Sequence, residues 1–171
     1  MAAERVRVRE KEAGSLDSNP YEDVYKRRQN FIENQMNGKI VVTHEDREWF
    51  LTRQGKLLDY IQPDFYDDHV LQAYKVFTHD IRAHSGKHVH QGGLVIFVLE
   101  GKGHTIIDGQ RYDWEAGDLI LIPVKEGGVE HQHFNEDPEQ GCKWVAFIYS
   151  PYWDLLAAEM TQLENSPDYR G

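Results

Sequence analysis

From about Val70 onward the chain alternates short apolar runs, rich in Val, Ile, Phe and Tyr, with turn-forming residues. The runs are Leu71 to Ala83, Leu94 to Leu99, His104 to Ile107, Asp118 to Ile122, Val129 to Phe134 and Lys143 to Tyr149. Between them stand Ser85-Gly86, Gly101-Lys102-Gly103, Asp108-Gly109, Ala116-Gly117 and Gly127-Gly128. Short strands at close spacing, with no helices between them, predict an all-β antiparallel sandwich or barrel. The Asp108-Gly109 pair marks a tight hairpin, because both central positions of that turn need positive φ. Trp144, Ala146 and Ile148 alternate with Val145, Phe147 and Tyr149, so this strand is apolar on both faces. One face fills the barrel. The other needs a cover, which predicts a homodimer.

The flanks read differently. The first 18 or so residues are charged with little apolar period, as in a mobile arm or a strap onto a partner. A helix is predicted from Asn19, a capping residue followed by Pro20, out to Asn37-Gly38. Val24, Tyr25, Phe31, Ile32 and Met36 form its loose apolar stripe. Lys39 to Thr43 reads as a short strand, and Glu45 to Tyr60 fits either regular structure. Ser150-Pro151 opens a predicted C-terminal helix, Tyr152 to about Leu163, with a loose tail beyond. The domain plan is therefore 1–69 for the arm, helix and short strand, 70–150 for the barrel, and 151–171 for the last helix and tail.

Composition narrows the function classes. In 171 residues there are 19 Lys and Arg against 29 Asp and Glu, a formal charge of -10. Such a chain is repelled by phosphate backbones and anionic membranes, so no nucleic-acid or membrane partner is expected. No apolar run approaches the ~20 residues that span a bilayer, and the N-terminus lacks the apolar core of a secretory signal. The lone cysteine, Cys142, excludes an internal disulfide and fits a reducing cytoplasm. It follows Gly141 in a predicted turn and is assigned no function.

The nine histidines carry the chemistry. His88 and His90 are spaced H-x-H, and residues i and i+2 of a strand share a face. His131 and His133 repeat the pattern on a later strand, with Asn135 two residues further along the same face. One such pair alone is commonly a surface or hydrogen-bonded feature. Two pairs on neighbouring barrel strands would bring four imidazoles and an amide together, and neutral imidazole ligates first-row divalent metals. His44, His69, His79, His84 and His104 stand alone and read as surface or satisfied core residues.

These residues also resemble a known family. Ser85 to Gly103, SGKHVHQGGLVIFVLEGKG, followed by HTIIDG, AGDLILIP and HQHFN, resembles the two signature motifs of the cupin superfamily. His88, His90 and Gly101 match the first motif. Gly117, Pro123, His131 and Asn135 match the second. The resemblance covers roughly Val70 to Tyr149 and implies a cupin-type double-stranded β-helix, a jelly-roll barrel, with His88, His90 and His131 as metal ligands. Two departures stand out: Leu94 occupies the family's glutamate position, and the gap from Pro123 to His131 is longer than usual. Without the carboxylate a divalent metal keeps three neutral ligands and up to three open positions.

The glutamate-free pattern is similar to that of the gentisate and hydroxynaphthoate dioxygenase branch, whose members usually carry two cupin units where this chain shows one. The resemblance implies one Fe(II) per chain, a small oxygenated aromatic acid as substrate, and dioxygen. Manganese, nickel and zinc share the ligand type. His133 is then placed to exchange a proton with substrate, provided its pKa lies near working pH. Asn135 would hold an imidazole or water, or cap a turn. Gln91 would face the pocket or the turn, and Arg82 would reach a substrate carboxylate or form a surface ion pair. Two other readings stay open: a metal-dependent lyase, isomerase or decarboxylase that needs no dioxygen, and a non-catalytic module that binds small molecules.

Overall fold

The structure, a computed structural model, describes residues 19–137 and 139–170. The arm expected over the first 18 residues lies outside the described residues. Helix α1, Pro20–Asn37, begins where Asn19 accepts the Tyr21 amide on its side chain at 3.1 Å. None of its residues is buried: Tyr21, Val24, Tyr25, Ile32 and Met36 all face outward.

The strand expected over Lys39 to Thr43 does not form. Lys39 makes one isolated parallel bridge to His69, and Ile40 and Val41 are exposed with no partner strand. Thr43 and Asp46 instead close a capping box around the 3-10 turn His44–Asp46. The ambiguous stretch after it resolves into a hairpin of β1 (Phe50–Thr52) and β2 (Gly55–Ile61).

Nine further strands follow: β3 (Tyr74–Ile81), β4 (Lys87–His90), β5 (Leu94–Glu100), β6 (Lys102–Ile107), β7 (Gln110–Glu115), β8 (Leu119–Ile122), β9 (Val129–Asn135), β10 (Cys142–Tyr149) and β11 (Thr161–Glu164). They form two antiparallel sheets, ordered β1-β2-β3-β10-β5-β8 and β11-β4-β9-β6-β7. This is the all-β jelly-roll architecture expected, although the first sheet starts at Phe50, ahead of the boundary placed at 70. The core lies between the sheets, where Ile96, Val98, Ile120, Ile122, Val129, Trp144 and Ala146 interdigitate. Among the described residues no helix is long and apolar enough to cross a membrane.

Several elements depart from expectation. Strand β7 is polar on its outer face and buries only Trp114, so it carried no apolar signal. Cys142 does not sit in a turn. It opens β10, paired with Ile81, and burial pushes its thiol up to about 12. The long C-terminal helix is reduced to α2, Ser150–Leu155. Ala157 adopts φ 47, where a helix cannot continue. The chain then returns as β11 along the free edge of β4, pairing Thr161 with Val89 and Gln162 with His88. An open edge leaves amides and carbonyls unpaired, and β11 satisfies them. The expected loose tail is anchored too: Ser166 is 3% exposed and donates its hydroxyl to the His84 carbonyl at 3.2 Å.

Two left-handed glycines give contrasting expectations. Asp108 (φ 48) and Gly109 (φ 82) form the expected tight hairpin between β6 and β7, and nothing lies within 4 Å of a Cβ added at Gly109. At Gly92 (φ 86) that Cβ would sit 1.8 Å from the Pro123 carbonyl oxygen. Gly109→Ala should therefore cost about 1 kcal/mol of backbone strain, and Gly92→Ala at least about 3 kcal/mol. Urea titration of the two variants measures the difference.

Candidate metal centre and cavity

Strands β4 and β9 are neighbours, and their register sets His88 directly opposite His131. His90 lies two residues along β4 on the same face. Ring centroids are 4.2 Å apart for His88 and His131, 4.6 Å for His90 and His131, and 5.3 Å for His88 and His90. One candidate ligand atom from each ring lies within 4.8 Å of the others. All three residues are buried, His131 to 1% exposure.

The hydrogen bonds sort the ring nitrogens. His131 Nδ1 lies 3.0 Å from the Val129 carbonyl oxygen, which can only accept, so that nitrogen carries the proton. Its Nε2 is left with a lone pair, buried and without a partner among the described residues. His88 Nδ1 faces the Gly86 carbonyl more loosely, at 3.4 Å. At His90 the Gly92 amide donates to Nδ1 at 2.9 Å, so the neutral ring holds its proton on Nε2. Ligation through that Nε2 requires Nδ1 to take the proton and the Gly92 amide to turn away. Burial pushes His88 down to about 2 and His90 down to about 3, with the neighbouring imidazoles adding to both shifts. Burial also lowers His131. Neutral imidazole is the form that binds metal, so the donor set fits a divalent cation. Leu94 stands at the family's glutamate position, and the trio contains no carboxylate.

A second group, His104, Asp113 and Glu136, is half-open to solvent. Arg111 pairs with both carboxylates, so their charge is already matched.

His133 lies deeper. Thr105 Oγ1 accepts the Trp114 indole N–H at 2.9 Å and sits 2.8 Å from His133 Nδ1. Thr105 is fully buried, and Nδ1 is the acceptor its hydroxyl proton finds among the described residues, which leaves the His133 proton on Nε2. Burial and the surrounding imidazoles hold His133 well below the usual histidine range. The proviso attached to its proton-exchange role, a pKa near working pH, is therefore not met.

The histidines line a cavity of about 400 Å³. Phe77, Trp144 and Trp153 give it flat aromatic walls, and Leu57, Leu94 and Ile148 close it with aliphatic surface. His79, read from the sequence as isolated, also lines it. It packs 4.9 Å from Trp144, and burial lowers it to about 3.

Three expected pocket residues point elsewhere. Gln91 accepts the Glu159 amide on its side chain and holds the segment before β11. Asn135 shares the face of His131 and His133 but lies at the end of β9, where it clamps Arg82 and Asp137 backbone atoms. Arg82 is exposed and donates to the Gln140 carbonyl. None of the three lines the cavity.

The residues missed come from outside the motifs. Asp59, Gln62, Phe65 and Lys75 enter from upstream, Trp153 and Met160 from downstream. The available signal for Asp59 was a carboxylate at an inward position of an apolar strand, two residues after Leu57. Asp59 is 7% exposed, and burial raises its carboxyl to about 6 while Lys75 opposes the shift. A carboxyl raised in the fold above its ordinary value of 3.8 loses the protein stability as pH climbs through that window. Asp59→Asn should therefore raise stability by about 1–2 kcal/mol at pH 8 and leave it unchanged at pH 3.5, as read by urea midpoints at each pH.

Comparison with known proteins bears on the fold. Residues 76–148 match the Cupin domain family. Over 52 residues the chain is 33% identical to the 5-aminosalicylate 1,2-dioxygenase of a Comamonas species, covering 30% of this chain and 13% of that protein. Salicylate 1,2-dioxygenase from Pseudaminobacter salicylatoxidans superposes with a TM-score of 0.50 at 20% identity, over 62% of this chain and 29% of that one. A variant of that enzyme in complex with gentisate gives 0.53 at 17%, over 81% and 36%. A variant of Streptomyces PAC13 with uridine gives 0.55 at 14%, over 76% and 94%. The chain thus spans well under half the length of the dioxygenases it matches, and at these identities the structural likeness is one of fold. Residues 76–148 thus carry the match to the Cupin domain family, and the architecture around them is the jelly-roll fold of the solved structures.

Proposed function

We propose that the protein is a mononuclear metal-dependent dioxygenase, with Fe(II) as its metal, acting on a small oxygenated aromatic acid. The observation that carries this reading is the trio of neutral imidazoles, one with an orphaned buried nitrogen, in the wall of a cavity with aromatic sides. His88, His90 and His131 would hold the metal, and iron bound there supplies redox chemistry toward dioxygen and open positions for substrate oxygens. The relatives whose names describe activity on aminosalicylate and salicylate support the substrate class.

The chain's own residues do the positioning. Phe77, Trp144 and Trp153 offer faces against which a planar ring packs. His133 holds an N–H on Nε2 through its bond to Thr105, and the buried Trp144 indole N–H has no partner among the described residues. Both are neutral donors suited to an anionic substrate oxygen, and a donor fixed in a dry site costs no reorganisation when charge develops. Leu57, Leu94 and Ile148 keep water out. Under this reading His133 orients substrate rather than shuttling protons. Lys75, not Arg82, is the cation that lines the cavity.

The protein should bind one iron per chain by elemental analysis and consume oxygen with hydroxylated benzoates. His131→Ala should lose the metal. His133→Ala should keep it and slow turnover about 100-fold. Turnover under strict anaerobiosis would overturn the oxidative reading in favour of a lyase, isomerase or decarboxylase. Protein that holds no metal and ignores chelator would instead be a binding module.

We also infer a homodimer in the cytoplasm. The outer face of the first sheet exposes Val95, Phe97, Leu119, Leu121 and Phe147, with Leu121 at 63%. A contiguous apolar face of this kind calls for a cover, and no residue of α1 is fully buried against its own chain. Sedimentation should give a dimer, and Leu121→Glu a monomer.

A further inference from the structure

Asp59 sits on the sheet opposite the histidine trio, and its burial is anomalous. A desolvated carboxylate normally gains an ion pair or several hydrogen bonds. Among the described residues, no side chain or backbone group donates a hydrogen bond to the Asp59 carboxyl group. Lys75, which lowers its pKa, gives its close ion pair to Asp64 instead, at 3.6 Å. The Asp59 side chain lines the cavity. The β2–β3 register slips between Asp59 and Ile61, and such a bulge re-aims the side chain beside it.

A second acceptor lies next to it. Gln62 lines the same cavity just after β2, and its Oε1 is buried without a partner among the described residues. These two acceptors, three residues apart on one wall, receive no hydrogen bond among the described residues, and Lys75, which lines the same cavity, pairs with Asp64. Donors line the cavity elsewhere: His133 Nε2 on β9 of the facing sheet, and Trp144 Nε1 on β10, two strands from Asp59 in its own sheet.

We infer that Asp59 and Gln62 form a specificity pole that receives a hydrogen-bond-donating substituent, a ring hydroxyl or amino group, of the substrate. This rests on reading the site as one for aromatic acids. A second ring substituent that donates would satisfy both acceptors, whereas an unsubstituted ring edge would leave them desolvated and unpaired. A site built to pair a polar group discriminates strongly against the analogue that lacks it.

The test is anaerobic titration of the iron-loaded protein, followed by quenching of its tryptophan fluorescence. The probes are 2-hydroxybenzoate and its ring-hydroxylated derivatives. Wild type should bind at least one derivative about 10-fold or more tighter than 2-hydroxybenzoate. Asp59→Leu should remove that preference, with 2-hydroxybenzoate bound as tightly as in wild type or tighter, and Gln62→Leu should weaken the preference about 3-fold. Should Asp59→Leu fail to fold, Asp59→Asn and Gln62→Leu decide the matter: a reduced preference supports the pole, and an unchanged one overturns it. If 2-hydroxybenzoate and every derivative bind equally, the pole is wrong and the proposed function stands. If none binds, the proposed function fails and takes the pole with it.

Discussion

The site depends on the register between β4 and β9. With a side-chain period of two, a slip of one residue would turn His131 and His133 outward and bring Glu130 and Gln132 into the barrel. The pairing is held from several sides. Ser85 donates its amide to the His133 carbonyl at 2.8 Å and accepts the His133 amide on its hydroxyl at 2.9 Å. Asp108 accepts the Glu130 amide, and Lys87 pairs with Glu130 across the outer face at 2.6 Å. Each contact is modest, and together they leave one alignment in which three rings share a centre.

Burial then sets the chemistry. The same desolvation that keeps the imidazoles uncharged also leaves His131 Nε2 without water, ready for a cation. It also makes Thr105 consequential. Thr105 stands opposite His133 in the β6–β9 register, and its hydroxyl accepts the Trp114 indole N–H and donates to His133 Nδ1. A lone polar residue on an inward face of β6 thereby decides which nitrogen of a distant ring faces the cavity.

The chain's legibility follows the same physics. Residues whose role is local and periodic could be read: the H-x-H pairs from strand alternation, the Asp108-Gly109 hairpin from its φ requirement, and the apolar strands from their composition. Residues whose role depends on distant pairing could not. β7 shows no apolar period because only Trp114 faces inward. β11 looked helical because what it satisfies, the edge of β4, lies more than 70 residues away in the sequence. Asn135 obeys the alternation that placed it beside His131, yet the strand ends there and its amide folds back onto backbone. Asp59 and Gln62 precede the recognisable motifs, and only the closing of the first sheet brings them to the cavity.

The position of β11 has a consequence for how the centre comes apart. Strand β4 carries two of the three rings and is paired on one side by β9 and on the other by β11. Short pairings at a sheet margin fray before the interior does. Loosening of this last strand would strip one flank from the segment bearing His88 and His90 while the interior stays intact. The lifetime of the trio is thus timed by a four-residue zipper at the margin, and deuterium uptake at Val89 and His90 would keep pace with that at Gln162 rather than with the barrel interior.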